Sequence, residues 1–221
     1  EFWQIVKDLP NVIVPYESYA LWLERAALEK PAMTRWLYRL QNRIARNYES
    51  WMFEPYDRTV LLTDLDARAV QALNPRTRTT VIPNGVDLAF FEPVKQEPEE
   101  PVLLFIGNYD YPPNLDAALR LARDIFPRVK QVEPKAWLYL VGGGAPRSLR
   151  ALACGDIVIT GRVPDTRTYL EMAAVFISPL RLGAGIKNKV LEAMAMGVPV
   201  VGTPLSCDGI PVQHGQQVLL G

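Results

Sequence analysis

The chain has 221 residues, with 24 Lys and Arg against 24 Asp and Glu, one histidine, two cysteines and 49% hydrophobic residues. At ~100–200 residues per domain this is one large domain or two small ones, and a zero net charge argues against a general nucleic-acid binder, which should look basic. No run of ~18 apolar residues is present to cross a membrane, and Cys154, Cys207 and His214 match neither a metal-ligand spacing nor a disulfide scaffold, so no metal and a cytosolic setting are expected.

The chain begins at Glu1 rather than Met, with no signal-like apolar stretch, and a fragment is expected. Val12-Ile13-Val14 reads as a short buried strand. Helical patterns follow over Glu17–Glu29 and Met33–Phe53, parted by Lys30-Pro31. Thr59–Leu62 is a second strand, Asp64–Leu73 a helix, and Thr79–Ile82 a third strand stopped by Pro83-Asn84-Gly85. Residues 92–101 hold three prolines and five charged side chains with almost nothing apolar, which predicts an interdomain linker.

Beyond it, Val102–Ile106 is an apolar strand ending at Gly107, and a helix is expected from Asn114 to about Lys130. Trp137–Val141 is the next strand, ending in Gly142-Gly143-Gly144. Ile157–Ile159 follows, with Asp165 as the N-cap of another helix. Val175–Ile177 and Val198–Val201 are further strands, with a helix between them from about Ile186 to Met196. Fully apolar strands alternating with helices imply parallel α/β sheets covered on both faces. The expected domains are 1–91 and 102–221.

In open α/β sheets ligands bind beyond the carboxyl ends of strands. Four loops sit there: Gly107–Asn114, Gly142–Ala145, Gly161–Asp165 and Pro179–Lys189. The last carries Gly183 and Gly185, and it sets Arg181, Lys187 and Lys189 around a helix N-terminus with no acid before Glu192. Cations there oppose the helix dipole, and a bound diphosphate would neutralise them. The helical phase groups Val190, Leu191, Met194 and Ala195 on an apolar arc and leaves Lys189 and Glu192 together on the other side. That pair suits phosphate and sugar hydroxyls; a solvated Lys–Glu pair is the plainer reading.

Gly142-Gly143-Gly144 reads as a strand-to-helix turn, because Arg147 spoils a G-x-G-x-x-G pattern. Asp64 and Asp66 read as helix-capping acids, and His214 as a turn residue. The helix at 33–53 carries Arg35, Arg39, Arg43 and Arg46 beside a stripe of Trp36, Leu40, Ile44, Tyr48 and Trp51. The stripe is either core, with the arginines solvated, or a surface lying on an anionic membrane.

The segment KVLEAMAMGVPVV resembles the signature region of the retaining family 4 of GT-B glycosyltransferases. VIPNGVDLAFF resembles the close of their first domain, and FIGNYDYPPN the opening of their second, with the strongest likeness to the exopolysaccharide-associated branch. The resemblance implies two Rossmann-like domains with parallel sheets facing a cleft, the first incomplete and the second truncated at its C-terminus. It implies transfer of a sugar, with retention, from a nucleotide-diphosphate donor to a polysaccharide or lipid-linked acceptor in bacterial surface-polysaccharide synthesis. No cofactor beyond the donor is implied, and the setting would be cytoplasmic, peripheral at the inner membrane.

Carried over by position, Glu192 would grip the donor ribose, Gly183 and Gly185 would face the diphosphate, and Arg162-Val163 would meet the nucleobase. Gly107 and Asn108 open the donor domain. Lys189 matches a lysine of the branch, and Lys189, Arg181 and Lys187 would replace the Arg and Lys that the family usually places after the first donor-domain strand. Lys189 and Arg181 are the expected catalytic cations, stabilising the leaving diphosphate. Ala184 stands where the family has the first glutamate of its pair. That departure keeps a catalytically silent nucleotide-binding module as the alternative; a nucleotide-sugar 2-epimerase shares the architecture but would need more acids and histidines.

Overall fold

The computed structural model describes residues 8–29, 31–93 and 98–221. The expected break at Lys30 and residues 94–97 of the expected linker lie outside them. The chain divides into two compact units, the first running to Asn84 and including Leu182–Ile186, the second comprising Gly85–Arg181 and Lys187–Gly221. The division thus falls at Asn84. Leu182–Ile186, read from sequence as part of the C-terminal domain, belongs with the first unit, where Arg25 Nη1 donates to the Gly183 carbonyl at 3.0 Å.

In the first unit β1 (Val12–Ile13), β2 (Arg58–Leu61) and β3 (Thr79–Val81) form a parallel sheet in the order β1-β2-β3. Helices α1 (Tyr19–Leu28), α2 (Ala32–Met52) and α3 (Asp64–Leu73) connect them. One small core gathers Phe53, Leu61, Ala67 and Val70, and another gathers Ala20, Leu23 and Ala45. Asp64 and Asp66 lie in the first turn of α3, where acids favour the helix dipole, but the capping side chain is that of Thr63, which accepts from the Asp66 amide. Asp66 is buried and accepts from Ser18 N at 2.9 Å.

Helix α2 overturns the core reading of its stripe. Its buried residues are Ala45 and Glu49, while Trp36, Leu40, Ile44, Tyr48 and Trp51 are all about half exposed or more. The small Ala45 lets α1 approach closely, and polar Asn42 donates to the Ala20 carbonyl at 2.6 Å. The large apolar side chains are therefore left on the other side. No helix among the described residues is long and apolar enough to cross a membrane.

The second unit is built on six parallel strands: β4 (Val102–Ile106), β5 (Trp137–Val141), β6 (Ile157–Gly161), β7 (Val175–Ser178), β8 (Val200–Gly202) and β9 (Leu219–Leu220). Their order, β6-β5-β4-β7-β8-β9, reverses direction between β4 and β7. This is the doubly wound arrangement, in which that reversal opens a crevice at the carboxyl ends. Strand β4 is buried along Val102–Phe105, as its unbroken apolar run requires. The core beneath it joins Leu103, Phe105, Leu121, Phe126, Leu138 and Leu140.

The helix expected from Asn114 to Lys130 is α4 (Pro112–Arg120), a π-helical turn at Leu121–Ile125, and α5 (Phe126–Val132). Pro127 explains the interruption. An α-helical proline has no N–H to donate and its ring strikes the carbonyl four residues back. The wider turn accommodates that, with Phe126 N reaching the Leu121 carbonyl. Helices α6 (Arg147–Arg150), α7 (Arg167–Glu171) and α8 (Asn188–Ala195) complete the unit. Asp165 is not the N-cap of α7, which is Thr166, but it serves the same end by accepting from the Arg167 amide at 2.9 Å. His214 stands at the head of a tight turn, pairing with Val218, with Nδ1 accepting from Leu220 N at 2.9 Å.

Candidate nucleotide-binding site

A cavity of about 670 Å³ opens at the carboxyl ends of β4, β5 and β6, within the second unit. Its walls come mainly from three of the four loops singled out in the sequence, with the fourth contributing only Lys189, in the first turn of α8. Gly107, Asn108 and Asn114 supply one side, Gly142–Gly144 the floor, Arg162, Val163 and Thr166 the far side, and Lys189 the remaining edge.

The glycines are there because nothing larger fits. Gly142 has φ +139°, and a Cβ at that position would lie 1.9 Å from the Gly107 carbonyl oxygen. A Cβ on Gly144 (φ +76°) would meet the Asp110 carboxylate at 2.5 Å. This close approach aligns the two loops, with Tyr109 N donating to the Gly143 carbonyl at 2.8 Å and Gly142 N to the Gly161 carbonyl at 3.1 Å. The triple glycine, read from sequence as a turn, is thus also the cavity floor.

Lys189 departs most from the expected picture. The buried residues of α8 are Val190 and Ala193, so the helix presents a different arc to the core than the one read from the sequence. Lys189 turns inward with it, instead of sharing an exposed face with Glu192. Its ammonium donates to Asn114 Oδ1 at 2.6 Å and lies 4.7 Å from the centroid of the Phe105 ring. Burial, and next the nearby charge of Lys187, bring its pKa down to about 7, against the pull of Glu192. The Glu192 carboxyl is pushed up by burial and drawn back down by Lys189.

Asn114 holds this arrangement and was not among the expected site residues. Its amide nitrogen donates to the Asn108 carbonyl at 2.9 Å, which leaves Oδ1 facing the ammonium. Sequence offered only the faint cue of an asparagine directly after Pro112-Pro113. Seventy-five residues separate it from Lys189.

The other expected residues fall elsewhere. Arg181 is engaged by Asp116 through Nε at 3.2 Å and Nη2 at 2.8 Å, and the cavity lining does not include it. Lys187 is the N-cap residue of α8, which has no side-chain cap and no acid in its first turn. Gly183 (φ +122°) and Gly185 (φ +67°) adopt the backbone that favours glycine, within the segment that belongs to the first unit. Among the described residues, no group of three or more His, Cys, Asp or Glu is placed to hold a metal ion.

Residues 100–220 match the family model described as "Glycosyl transferases group 1". An uncharacterised 44.6 kDa protein of the cps region of Klebsiella pneumoniae is 26% identical over 127 residues, covering 53% of this chain and 33% of its own length. The phosphatidyl-myo-inositol mannosyltransferase of Mycobacterium leprae is 32% identical over 133 residues, covering 56% of this chain and 35% of its own length. The chain therefore spans about a third of the length of these curated relatives. The crystal structure of Anabaena HepE in complex with UDP and glucose is similar in fold, with a TM-score of 0.68 at 16% identity over 96% of this chain and 57% of that one. Its architecture is GT-B, and the chain belongs to the group 1 glycosyl transferases.

Proposed function

We propose that this chain belongs to a retaining glycosyltransferase of family 4, in the exopolysaccharide-associated branch, and that its second unit binds the nucleotide-diphosphate sugar donor. The acceptor would be a growing polysaccharide or a lipid-linked glycan on the cytoplasmic side, in bacterial surface-polysaccharide synthesis. The observation that carries the reading is the cavity at the strand-order reversal, with glycine loops on its floor and Lys189 on its edge. The cps-region and mannosyltransferase relatives support the polysaccharide and hexosyl parts of it.

The chemistry follows from where charge develops. As the sugar leaves, negative charge builds on the departing diphosphate, and a preorganised cation aimed at it lowers the barrier. Lys189 is that cation. Asn114 fixes its position before the donor arrives, and the Phe105 ring face stabilises the charged form. A donor diphosphate beside it would restore the ammonium that burial weakens. Glu192 is the proposed acceptor for the ribose hydroxyls. Arg162 and Val163, across the cavity, are suited to the base.

Calorimetry on the full-length protein with a panel of nucleoside diphosphates tests the reading. Lys189→Ala should weaken the best of them by ~1.5–3 kcal/mol, the range for a hydrogen bond to a charged group. Unchanged affinity would remove the cavity from consideration. Glu192→Gln should weaken the ribonucleotide more than its 2′,3′-dideoxy analogue, and equal losses would take Glu192 off the ribose. Tight binding without turnover over a broad donor and acceptor panel would favour the silent module, toward which Ala184 in place of a glutamate points.

A further inference from the structure

The loop after β4 is anchored through its middle residue. Tyr109 is buried beside Phe105, its amide donates to the Gly143 carbonyl at 2.8 Å and its hydroxyl to the Val141 carbonyl at 3.3 Å. Its two neighbours, Asn108 and Asp110, are left on the cavity lining. Asn108 Oδ1 accepts from the Asp110 amide at 3.1 Å. The Asp110 carboxylate lies against Gly144, where an added Cβ would meet both of its oxygens at 2.6 Å. An exposed acid is thus held over the glycine floor.

Among the described residues, the charged groups of the lining are Asp110, Arg162 and Lys189. Lys189 is engaged by Asn114 at its own edge. Arg162 flanks the next glycine along the floor, its Cβ 3.5 Å from where a Gly143 Cβ would stand. Neither the Asp110 carboxylate nor the Arg162 guanidinium has a hydrogen-bond or ion-pair partner among the described residues. Arg167, in the same segment as Arg162, is taken up by Asp165 at 2.6 Å and by the Phe90 ring at 3.8 Å.

A carboxylate repels a diphosphate, so the part of a ligand that reaches Asp110 has to offer N–H or O–H donors. Arg162, beside it, calls for acceptors on the same part. We propose that Asp110 and Arg162 read the base of the nucleotide and select guanine, an inference that rests on the donor-site reading with Lys189 at the diphosphate end. Guanine sets two adjacent donors, N1–H and the N2 amino group, where a carboxylate accepts side by side, and two adjacent acceptors, O6 and N7, where a guanidinium fork donates. Uracil places its one ring N–H between two carbonyls. Adenine and cytosine set a ring-nitrogen acceptor beside the amino group, against the second carboxylate oxygen. A ribose diol would satisfy Asp110 but give Arg162 nothing to donate to.

The test is calorimetry on the full-length protein with GDP, UDP, ADP and xanthosine diphosphate, in which a carbonyl replaces the N2 amino group. Wild type should bind GDP at least about tenfold more tightly than each of the others. Asp110→Asn should weaken GDP at least about tenfold and strengthen xanthosine diphosphate, whose extra carbonyl accepts from the side-chain amide, so that the two purines become level or change order. UDP and ADP should move by less than about threefold, as for the loss of one exposed charge. The urea midpoint should stay at its wild-type value, since the side chain is exposed and bonds nothing. Wild type binding UDP or ADP as tightly as GDP would overturn the proposal. So would an Asp110→Asn loss equal for all four nucleotides, which would put the carboxylate on the ribose. In both cases the donor-site reading stands if Lys189→Ala still weakens the tightest nucleotide. No effect of Lys189→Ala would take down both.

Discussion

Lys189 is an ammonium held where water is scarce, and its titration has a sign that can be measured. Its pKa falls from 10.5 to about 7 in the folded chain, because burial and the neighbouring Lys187 disfavour the charge. The unfolded chain therefore binds more protons than the folded one between about pH 7 and 10.5, and over that window stability rises with pH. The penalty is fully present below pH 7. Lys189→Met should flatten this part of the stability curve in urea melts followed against pH, and a slope unchanged by the substitution would mean the lysine is well hydrated. A diphosphate reverses the preference, so its binding at about pH 8 should take up most of a proton, read by calorimetry in buffers of different ionisation enthalpy and absent in Lys189→Met. The glycine floor gives an independent test at the same scale. Gly142→Ala combines a positive φ with a clash against the Gly107 carbonyl, and should destabilise by about 2–4 kcal/mol in urea. Gly143→Ala is the control, because its Cβ would make ordinary van der Waals contact with Arg162, at 3.5 Å from its Cβ and 4.0 Å from its Cα, and should change stability by less than about 0.5 kcal/mol.

Between elements, buried carboxylates organise the first unit. Glu49 of α2 and Asp66 of α3 converge on the N-terminus of α1, where free amides and the helix dipole favour negative charge. Glu49→Gln keeps the shape but loses the charge and cannot accept on both sides, so it should lower stability by about 1.5–3 kcal/mol in urea denaturation. A loss within experimental error would show that water replaces the carboxylate. Sequence reveals such elements unevenly, for physical reasons. Strand β4 and helix α3 were legible to the residue because continuous burial and the acids Asp64 and Asp66 in a first helical turn leave local signatures. The π-turn was not, since Pro127 could as well have ended the helix. The phase of α8 was misread because the side chains near Lys189, Asn114 and Phe105, come from a helix and a strand distant in sequence. The stripe on α2 was visible as a stripe. Which way it faced was not, because α2 meets Ala20 and Leu23 of α1 through the small Ala45, with Asn42 on the Ala20 carbonyl, rather than through its large apolar side chains.

At the scale of the whole chain, the two units differ in how much apolar surface they bury. In the second, a large core runs from β4 through the π-turn to β5 and β7, and β4 is buried on both faces. In the first, the described core is divided between a cluster around Phe53 and Leu61 and another around Ala20 and Leu23, and β1 is only partly covered. Hydrophobic stabilisation scales with the area removed from water, so amides of β4, β5 and β7 should exchange with solvent most slowly, and those of β1 and β3 sooner. Native-state hydrogen exchange reads this directly, and slowest exchange in β2 instead would contradict the ranking. The same measurement locates the ligand. A nucleoside diphosphate at about 100 times its Kd stabilises the folded form by about 2.7 kcal/mol. Those β4 and β5 amides that exchange only when the second unit unfolds should therefore slow by about 100-fold. Amides in the Gly107–Asn114 and Gly142–Gly144 loops, which open locally, should also slow through their contact with the ligand. If nucleotide binds and these loops and strands exchange as before, the diphosphate occupies some other part of the molecule.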